Sequence, residues 1–113
     1  MDLSEYQKLA RRFARYPGLG TLSGLGYLML GLTSEAGETA GEVKNAMRDD
    51  GGDITPERRS KILEEAGDAL WYLAMIAAEL GADLAGVAQY NVNKLEIRRL
   101  GLEGVDQKKE EVN

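Results

Sequence analysis

One short acidic pattern occurs twice in this sequence, and its residue types suit metal and phosphate chemistry. Residues 34–38 read Ser-Glu-Ala-Gly-Glu, and residues 64–68 read Glu-Glu-Ala-Gly-Asp. In each copy two acids stand at positions i and i+3, so they share one face of a helix. Like charges at this spacing weaken a helix, and a glycine inside a helix costs about 0.5–1 kcal/mol relative to alanine. Two matching departures from helix preference indicate a functional site.

The elements that must position these acids are helices. Caps and helix breakers predict helices over residues 2–15, 27–48, 56–80 and 84–100, with a glycine-rich connector over residues 17–26. Thr55 and Asp83 are the expected N-caps of the last two helices, and Pro56 stands at a first helical position, where proline is tolerated. No strand-like alternation is present. The predicted fold is all-α: a four-helix up-down bundle with a long antiparallel central hairpin.

The predicted hairpin brings the two acid pairs together. Both pairs lie at the same height above the turn to within about 2 Å, because a helix rises 1.5 Å per residue. The facing pairs are then Glu35 with Asp68 and Glu38 with Glu65. Each copy also contains one glycine, Gly37 or Gly67, and we expect these glycines to let the two backbones approach.

Four carboxylates that converge in a partly buried space cannot all stay ionised without a cation. The chain contains no histidine and no cysteine, so the ligands must be oxygen atoms. Mg²⁺ or Mn²⁺ fits such a site, whereas di-iron bundles need histidine ligands. Mg²⁺ orients phosphates and activates water, and the general base is then a metal-bound water or a spare carboxylate such as Glu64. The alternative is that the acid pairs only cover a solvated face.

Composition limits the partners of this chain. A net charge of −5 argues against a nucleic-acid polymer, although a cation can bridge the acids to a small polyphosphate. The sequence has no apolar run of about 20 residues and no signal-peptide pattern, so we expect no membrane association and a cytoplasmic protein. A chain of 113 residues predicts one helical domain, residues 1–101, followed by a charged, flexible tail, residues 102–113. Its modest core favours a homo-oligomer.

The acid pairs and their surroundings resemble the MazG-like all-α nucleoside triphosphate pyrophosphohydrolases. The similarity lies in Gly-Leu-Thr-Ser-Glu-Ala-Gly-Glu around residues 31–38 and in Glu-Glu-Ala-Gly-Asp-Ala-Leu-Trp-Tyr-Leu around residues 64–73, and it spans about residues 6–98. It implies Mg²⁺-dependent cleavage of a nucleoside triphosphate between the α and β phosphates, in a homodimer or a dimer of dimers with pockets completed across the interface. The implied metal ligands and catalytic residues are Glu35, Glu38, Glu65 and Asp68. Ser34 stands where the family often has a further acid, which leaves the number of metals open.

Further residues are candidates for binding the substrate. Asn91 falls within an apolar stripe on the last helix that we expect to be buried, formed by Leu84, Val87 or Ala88, and Leu95. With Lys94 and Arg98, Asn91 resembles the phosphate or sugar contacts of the family. Lys44 lies nearly two turns beyond Glu38 and can reach a phosphate or remain in solvent. Trp71 can stack on a base near the metal, and packing in the core or at a dimer interface is its alternative.

Two other functions stay open at this stage. The chain can be a non-catalytic helical interaction module, in which the acids serve solubility or partner contacts. It can also be a related hydrolase of the same superfamily that acts on dUTP or phosphoribosyl-ATP. The duplicated acid pair at matched height separates the enzymes from the interaction module, and the sequence does not determine the base or the sugar of the substrate.

Overall fold

The computed structural model describes residues 1–101, and all regular elements in this part are helical. The elements are α1 (Leu3–Ala10), a 3₁₀ turn (Arg11–Phe13), α2 (Leu22–Asp49), α3 (Pro56–Glu79) and α4 (Leu84–Arg99). The all-α fold with four helices is therefore confirmed. The predicted tail over residues 102–113 lies outside the described residues.

Side-chain caps set the helix starts. Thr55 and Asp83 accept hydrogen bonds from the backbone N–H groups of Arg58 and Ala85, as expected for the N-caps of α3 and α4. The start of α2 differs from the prediction, because Thr21 caps a helix that begins at Leu22 and not near residue 27. The connector is correspondingly shorter, and the glycines within residues 22–26 belong to the helix.

The N-terminal segment also differs from the single helix predicted over residues 2–15. Its last turn tightens into the 3₁₀ turn, and Ala14 is extended with φ −74° and ψ 94°, which ends the helix before Pro17. Gly18 then takes a positive φ of 74°, a conformation that favours glycine. A Cβ at Gly24 would lie 2.2 Å from the carbonyl oxygen of Gly18, so the connector lies directly on the first turn of α2.

Helices α2 and α3 form the long antiparallel hairpin. Near the turn, the Arg58 guanidinium donates to Glu42 at 3.0 Å and also to Asp50. Farther from the turn, the ring of Tyr72 lies against Gly31. These contacts run in opposite directions along the two helices, and they match the register in which Glu35 faces Asp68.

The core lies where α1 crosses the hairpin and meets the start of α4. Its buried apolar residues are Ala10, Leu28, Ala74, Met75, Ala77 and Leu84. Small alanines let α1 approach α3 closely, and the Trp71 indole Nε1 donates to the carbonyl oxygen of Ala10 at 3.1 Å. The core is small, so much apolar surface stays exposed in the single chain.

Helix α4 leaves α3 at a bend of 99°. Leu84 at its start is buried, but Val87 and Leu95 are 39% and 51% exposed, and Asn91 is exposed. The apolar stripe predicted on this helix is thus not buried within the described chain.

The helices of residues 1–101 differ from membrane-spanning helices in their combination of length and composition. None of them alone has the length and apolar composition to cross a bilayer, and α3 and α4 reach these values only as a bent pair.

Gln7 fastens α1 to the turn between α3 and α4. Its side-chain amide donates to the carbonyl oxygens of Ala74 at 3.2 Å and Ala82 at 3.0 Å, and its Oε1 accepts from the backbone N–H of Leu84 at 3.1 Å. Gln7 is only 8% exposed, so water cannot easily replace these bonds. The amide therefore satisfies three backbone groups at the centre of the fold.

We expect Gln7→Leu to lower the free energy of unfolding by about 2–4 kcal/mol, because it leaves buried backbone groups without partners. Urea unfolding measures the loss. The exposed neighbour Lys8 provides the control, since Lys8→Gln should change stability by less than about 0.5 kcal/mol. Equal stability of the two variants would show that Gln7 does not have this role.

Candidate metal centre

Three glutamates meet in the middle of the α2–α3 hairpin. Glu35 and Glu38 stand one turn apart on α2, and Glu65 comes from α3. One carboxylate oxygen from each lies within 4.8 Å of the other two. We call Glu35, Glu38 and Glu65 the acid cluster. The hairpin thus brings together three of the four acids predicted as metal ligands.

Burial differs within the acid cluster. Glu35 and Glu65 are half-buried, whereas Glu38 is exposed at the edge. The Oε2 atoms of Glu35 and Glu65 are buried and have no hydrogen-bond partner among the described residues. Buried carboxylate oxygens without donors are unfavourable, so this pair of atoms suits a positively charged binding partner.

Mutual repulsion changes the acidity of these groups. A hydrogen bond with the Glu65 side chain raises the pKa of Glu38, and the negative charge of Glu65, burial and the charge of Asp68 raise it further. A hydrogen bond with the Glu35 side chain raises the pKa of Glu65, whereas the hydrogen bond with Glu38 lowers it. Burial and the charges of Glu35 and Asp68 also raise this pKa. Without a cation the acid cluster therefore retains protons more readily than isolated glutamates do.

Asp68 lies next to the acid cluster but outside the group of three. Its side chain is exposed, and its charge acts on both Glu38 and Glu65. The position agrees with the predicted hairpin register, in which Asp68 lies beside Glu35. The structure therefore places all four predicted acids in one region, with carboxylate oxygens of three of them within 4.8 Å of one another.

The pKa shifts give a pH dependence that can be measured in the metal-free protein. Glu38 and Glu65 should titrate above their ordinary value of 4.5, because their neighbours disfavour the charged form. The folded state then binds these protons more tightly than the unfolded chain. The stability contributed by these protons is fully present below pH 4.5 and is lost as the pH rises through the raised pKa values.

Side-chain carboxyl NMR in EDTA tests this expectation. Glu79 and Glu96 serve as internal controls, because hydrogen bonds from Tyr16 and Arg99, respectively, lower their pKa values. Addition of Mg²⁺ should lower the pKa values of Glu38 and Glu65 and leave the two controls unchanged. Ordinary titration of Glu38 and Glu65 in EDTA would show that the neighbouring acids do not raise their pKa values.

The donor set fits a hard divalent cation. All ligand atoms are carboxylate oxygens, which suit Mg²⁺ and Mn²⁺, and the chain contains no histidine or cysteine for softer metals. Two buried oxygens without hydrogen bonds provide the fixed side of such a site. Exposed Glu38 and Asp68 leave the other side open to solvent and ligand. Glu64 is exposed and is not among the three clustered residues.

The glycines of the two acid patterns do not let the backbones approach, so that prediction is wrong. A Cβ added at Gly37 or Gly67 would meet nothing within 4 Å, because both glycines face open space. The close approach occurs one turn before Glu35, where a Cβ at Gly31 would lie 2.2 Å from Cε1 of Tyr72. Sequence reasoning missed this pair, although Gly31 and Tyr72 lie four positions outside Glu35 and Asp68, respectively.

The side chain of Trp71 makes hydrogen-bond and packing contacts within the fold. Its indole N–H donates to Ala10, and its ring meets Tyr16 and Tyr72 edge to face at centroid distances of 6.4 Å and 5.2 Å. It also packs against the buried core. The structure therefore favours the packing alternative for Trp71 over stacking on a base.

The four predicted substrate-binding residues other than Trp71 are not members of the acid cluster. Asn91, Arg98 and Lys44 are exposed, and Lys94 is half-buried. Within residues 1–101 their side chains make no hydrogen bond or ion pair. Glu42, which lies one turn beyond Glu38, is instead occupied by Arg58. The four candidates are thus available to a ligand or a second chain, and their substrate roles remain predictions.

The part of the chain that holds the acid cluster is similar to known proteins. The family described as the MazG nucleotide pyrophosphohydrolase domain matches residues 25–100, which include the acid cluster and Asp68. The chain is 43% identical over 102 residues to the Gene 37 protein of Mycobacterium phage L5, a match that covers 88% of this chain and 90% of the phage protein. No solved structure matches.

Proposed function

The chain belongs to the MazG nucleotide pyrophosphohydrolase family, and from this premise we propose that it hydrolyses a nucleoside triphosphate with the help of Mg²⁺. The proposed cleavage lies between the α and β phosphates and yields a nucleoside monophosphate and pyrophosphate. The observation that carries the proposal is the pair of buried carboxylate oxygens, on Glu35 and Glu65, that have no donor within residues 1–101 and lie beside exposed Glu38. Glu35 and Glu65 would hold a cation there, and the cation would neutralise the charge of a phosphate chain at the exposed side of the acid cluster.

The chain's own residues have distinct parts in this proposal. Glu35 and Glu65 would hold the metal from the buried side, and Glu38 and Asp68 would complete its ligands at the solvent edge. When bound, Mg²⁺ neutralises phosphate charge and makes a water more acidic. The pKa of Glu38 is raised in the metal-free chain because nearby acids disfavour its charged form, and a cation would favour the ionised form that binds the metal.

The four candidates outside the acid cluster would bind the substrate from the periphery. Asn91, Lys94, Arg98 and Lys44 offer an amide and three cations in a protein whose metal site consists only of acids. Phosphate binding needs such donors, because the metal alone cannot neutralise a triphosphate. We propose that a second chain brings α4 of one protomer towards the acid cluster of the other.

Exposed apolar surface supports a homodimer or a dimer of dimers. Leu30 and Met47 on α2 are 74% and 71% exposed, and Val92 and Leu95 on α4 are 56% and 51% exposed. An interface between copies would cover apolar side chains of this kind on both helices. Light scattering after gel filtration should give a dimer or tetramer, and Leu95→Glu should shift it towards the monomer.

The enzymatic proposal is tested by product analysis over a nucleotide panel with and without Mg²⁺ and Mn²⁺. Release of pyrophosphate and monophosphate in equal amounts supports it, and release of diphosphate and inorganic phosphate contradicts it. Inclusion of dUTP and phosphoribosyl-ATP tests the two related hydrolases. No turnover at micromolar enzyme on any substrate would favour the interaction module.

Nucleoside triphosphates and Mg²⁺ occur together in the cytoplasm, where we place the reaction.

A further inference from the structure

Tyr72 forms a third layer of the hairpin beside the acid cluster. On α3 it follows Asp68 by four residues, and on α2 Gly31 precedes Glu35 by four residues. Residues four apart stack on one helix face, so Gly31 lies beneath Glu35 and Tyr72 beneath Asp68. The contact between Gly31 and Tyr72 continues the facing register of the acids by one layer.

The ring of Tyr72 is held at its hydroxyl end. A Cβ at Gly31 would lie 2.2 Å from Cε1 and 2.4 Å from Cζ, so the carbon that bears the hydroxyl lies almost on the α2 backbone. Trp71 meets the ring edge to face at 5.2 Å. Residues one turn apart on a helix have Cβ atoms about 5–6 Å apart, which places the hydroxyl about one turn from Glu35.

The hydroxyl is a donor that the fold does not use. It makes no hydrogen bond within residues 1–101, and the residue is half-buried. Burial raises the pKa of Tyr72, and Tyr27, Glu35, Asp68 and Glu38 raise it further. The phenol is therefore protonated at neutral pH and keeps its hydrogen available.

The Tyr72 hydroxyl can supply a hydrogen-bond donor that a phosphate chain at this site would need. The acid cluster and Asp68 offer only acceptor oxygens once they are ionised, and a phosphate chain likewise offers only acceptors. A hydrogen bond to the phosphate chain therefore needs a donor from another residue. A lysine beside the metal ligands would pair with the acids and so compete with the cation for them. A neutral donor at the same place can bind a phosphate oxygen without this competition. Gly31 makes room for that donor, because any side chain there would displace the ring.

We propose that Tyr72 is a substrate-binding residue, whose Oη donates a hydrogen bond to a phosphate oxygen of the nucleotide held at the acid cluster. The inference rests on the proposed function, since it presupposes a phosphate chain at this site. It assigns to Tyr72 a role in binding the phosphate chain and no role in holding the metal. Tyr72→Phe removes the hydroxyl and keeps the ring that packs on Gly31.

Calorimetry with a non-hydrolysable α,β-methylene nucleoside triphosphate tests the proposal without turnover. Tyr72→Phe should weaken binding of this analogue about 10- to 100-fold, the usual effect of one hydrogen bond to a charged group. Affinity for Mn²⁺ alone should stay within about twofold, because the hydroxyl is not a metal ligand. The inhibition constant of inorganic tripolyphosphate should rise by the same factor as the analogue's dissociation constant, since the contact is to phosphate.

The control variant is Tyr16→Phe. Tyr16 donates to Glu79, away from the acid cluster, so its loss should lower the melting temperature without changing analogue binding. Unchanged analogue binding in Tyr72→Phe would overturn the proposal, as would a parallel loss of Mn²⁺ affinity or an effect on the nucleotide but not on tripolyphosphate. If the wild-type protein neither binds the analogue nor releases pyrophosphate, the proposed function itself fails.

Discussion

Replacement of Glu65 by glutamine is expected to lower turnover by at least about 100-fold, the upper range for lost support of a metal ligand. Glu65 is the member of the acid cluster that contacts both Glu35 and Glu38. An amide keeps the shape but supplies a weaker, uncharged ligand to Mg²⁺. Steady-state pyrophosphate release and Mn²⁺ titration measure the two effects, and both should change together.

The same substitution should hold or raise the thermal stability of the metal-free protein. The reason is that glutamine removes one of several like charges whose mutual repulsion opposes folding. Glu57→Gln, an exposed change in the first turn of α3, provides the matched control and should retain full activity. A Glu65→Gln protein that unfolds readily, or that turns over normally, would show that the acid cluster is structural and not a metal site.

The sequence was sufficient to predict how the acids come together. Thr55 and Pro56 mark the start of α3 by local chemistry, and the count of residues from the turn sets the height of each acid pair. Both kinds of information are local, because caps act within a few residues and a helix rises by a constant amount. The four acids therefore lie in one region, as expected from spacing alone.

The glycines show where local reasoning ends. A glycine in a helix suggests close approach, but whether it faces the neighbour depends on the rotation of both helices about their axes. Gly37 faces open space, whereas Gly31 receives the ring of Tyr72. The capping of α2 by Thr21 was likewise missed, because the glycines of residues 22–26 reduce helix preference and tertiary contact with Gly18 compensates for it.

Helix α4 shows a different limit. Its apolar spacing predicted a buried stripe, yet only Leu84 is buried and Leu95 is half exposed at 51%. An apolar period indicates that a face will be covered, without indicating whether the cover comes from the same chain. The exposed stripe and the exposed Asn91 are consistent with the proposed second chain.

The two glycines of α2 give the last prediction, because the same substitution should have opposite effects. Alanine gains about 1 kcal/mol over glycine inside a helix. Gly37→Ala should therefore raise the free energy of unfolding by about that amount, since its Cβ meets nothing within 4 Å. Gly31→Ala meets the ring of Tyr72, and overpacking of this kind costs about 1–3 kcal/mol. Urea unfolding, measured with both variants in the same oligomeric state, should thus give free energies of unfolding that differ by about 1–3 kcal/mol.

A double substitution shows whether the collision is the cause. In a Tyr72→Ala background the ring is absent, so Gly31→Ala should no longer be penalised and should stabilise as Gly37→Ala does. Gly37→Ala, by contrast, should have the same effect with and without the ring. Equal effects of the two glycine substitutions in the wild-type background would mean that the ring of Tyr72 does not pack against Gly31 of α2. The hydroxyl would then not be held beside Glu35, and the hairpin register that assembles the acid cluster would be different.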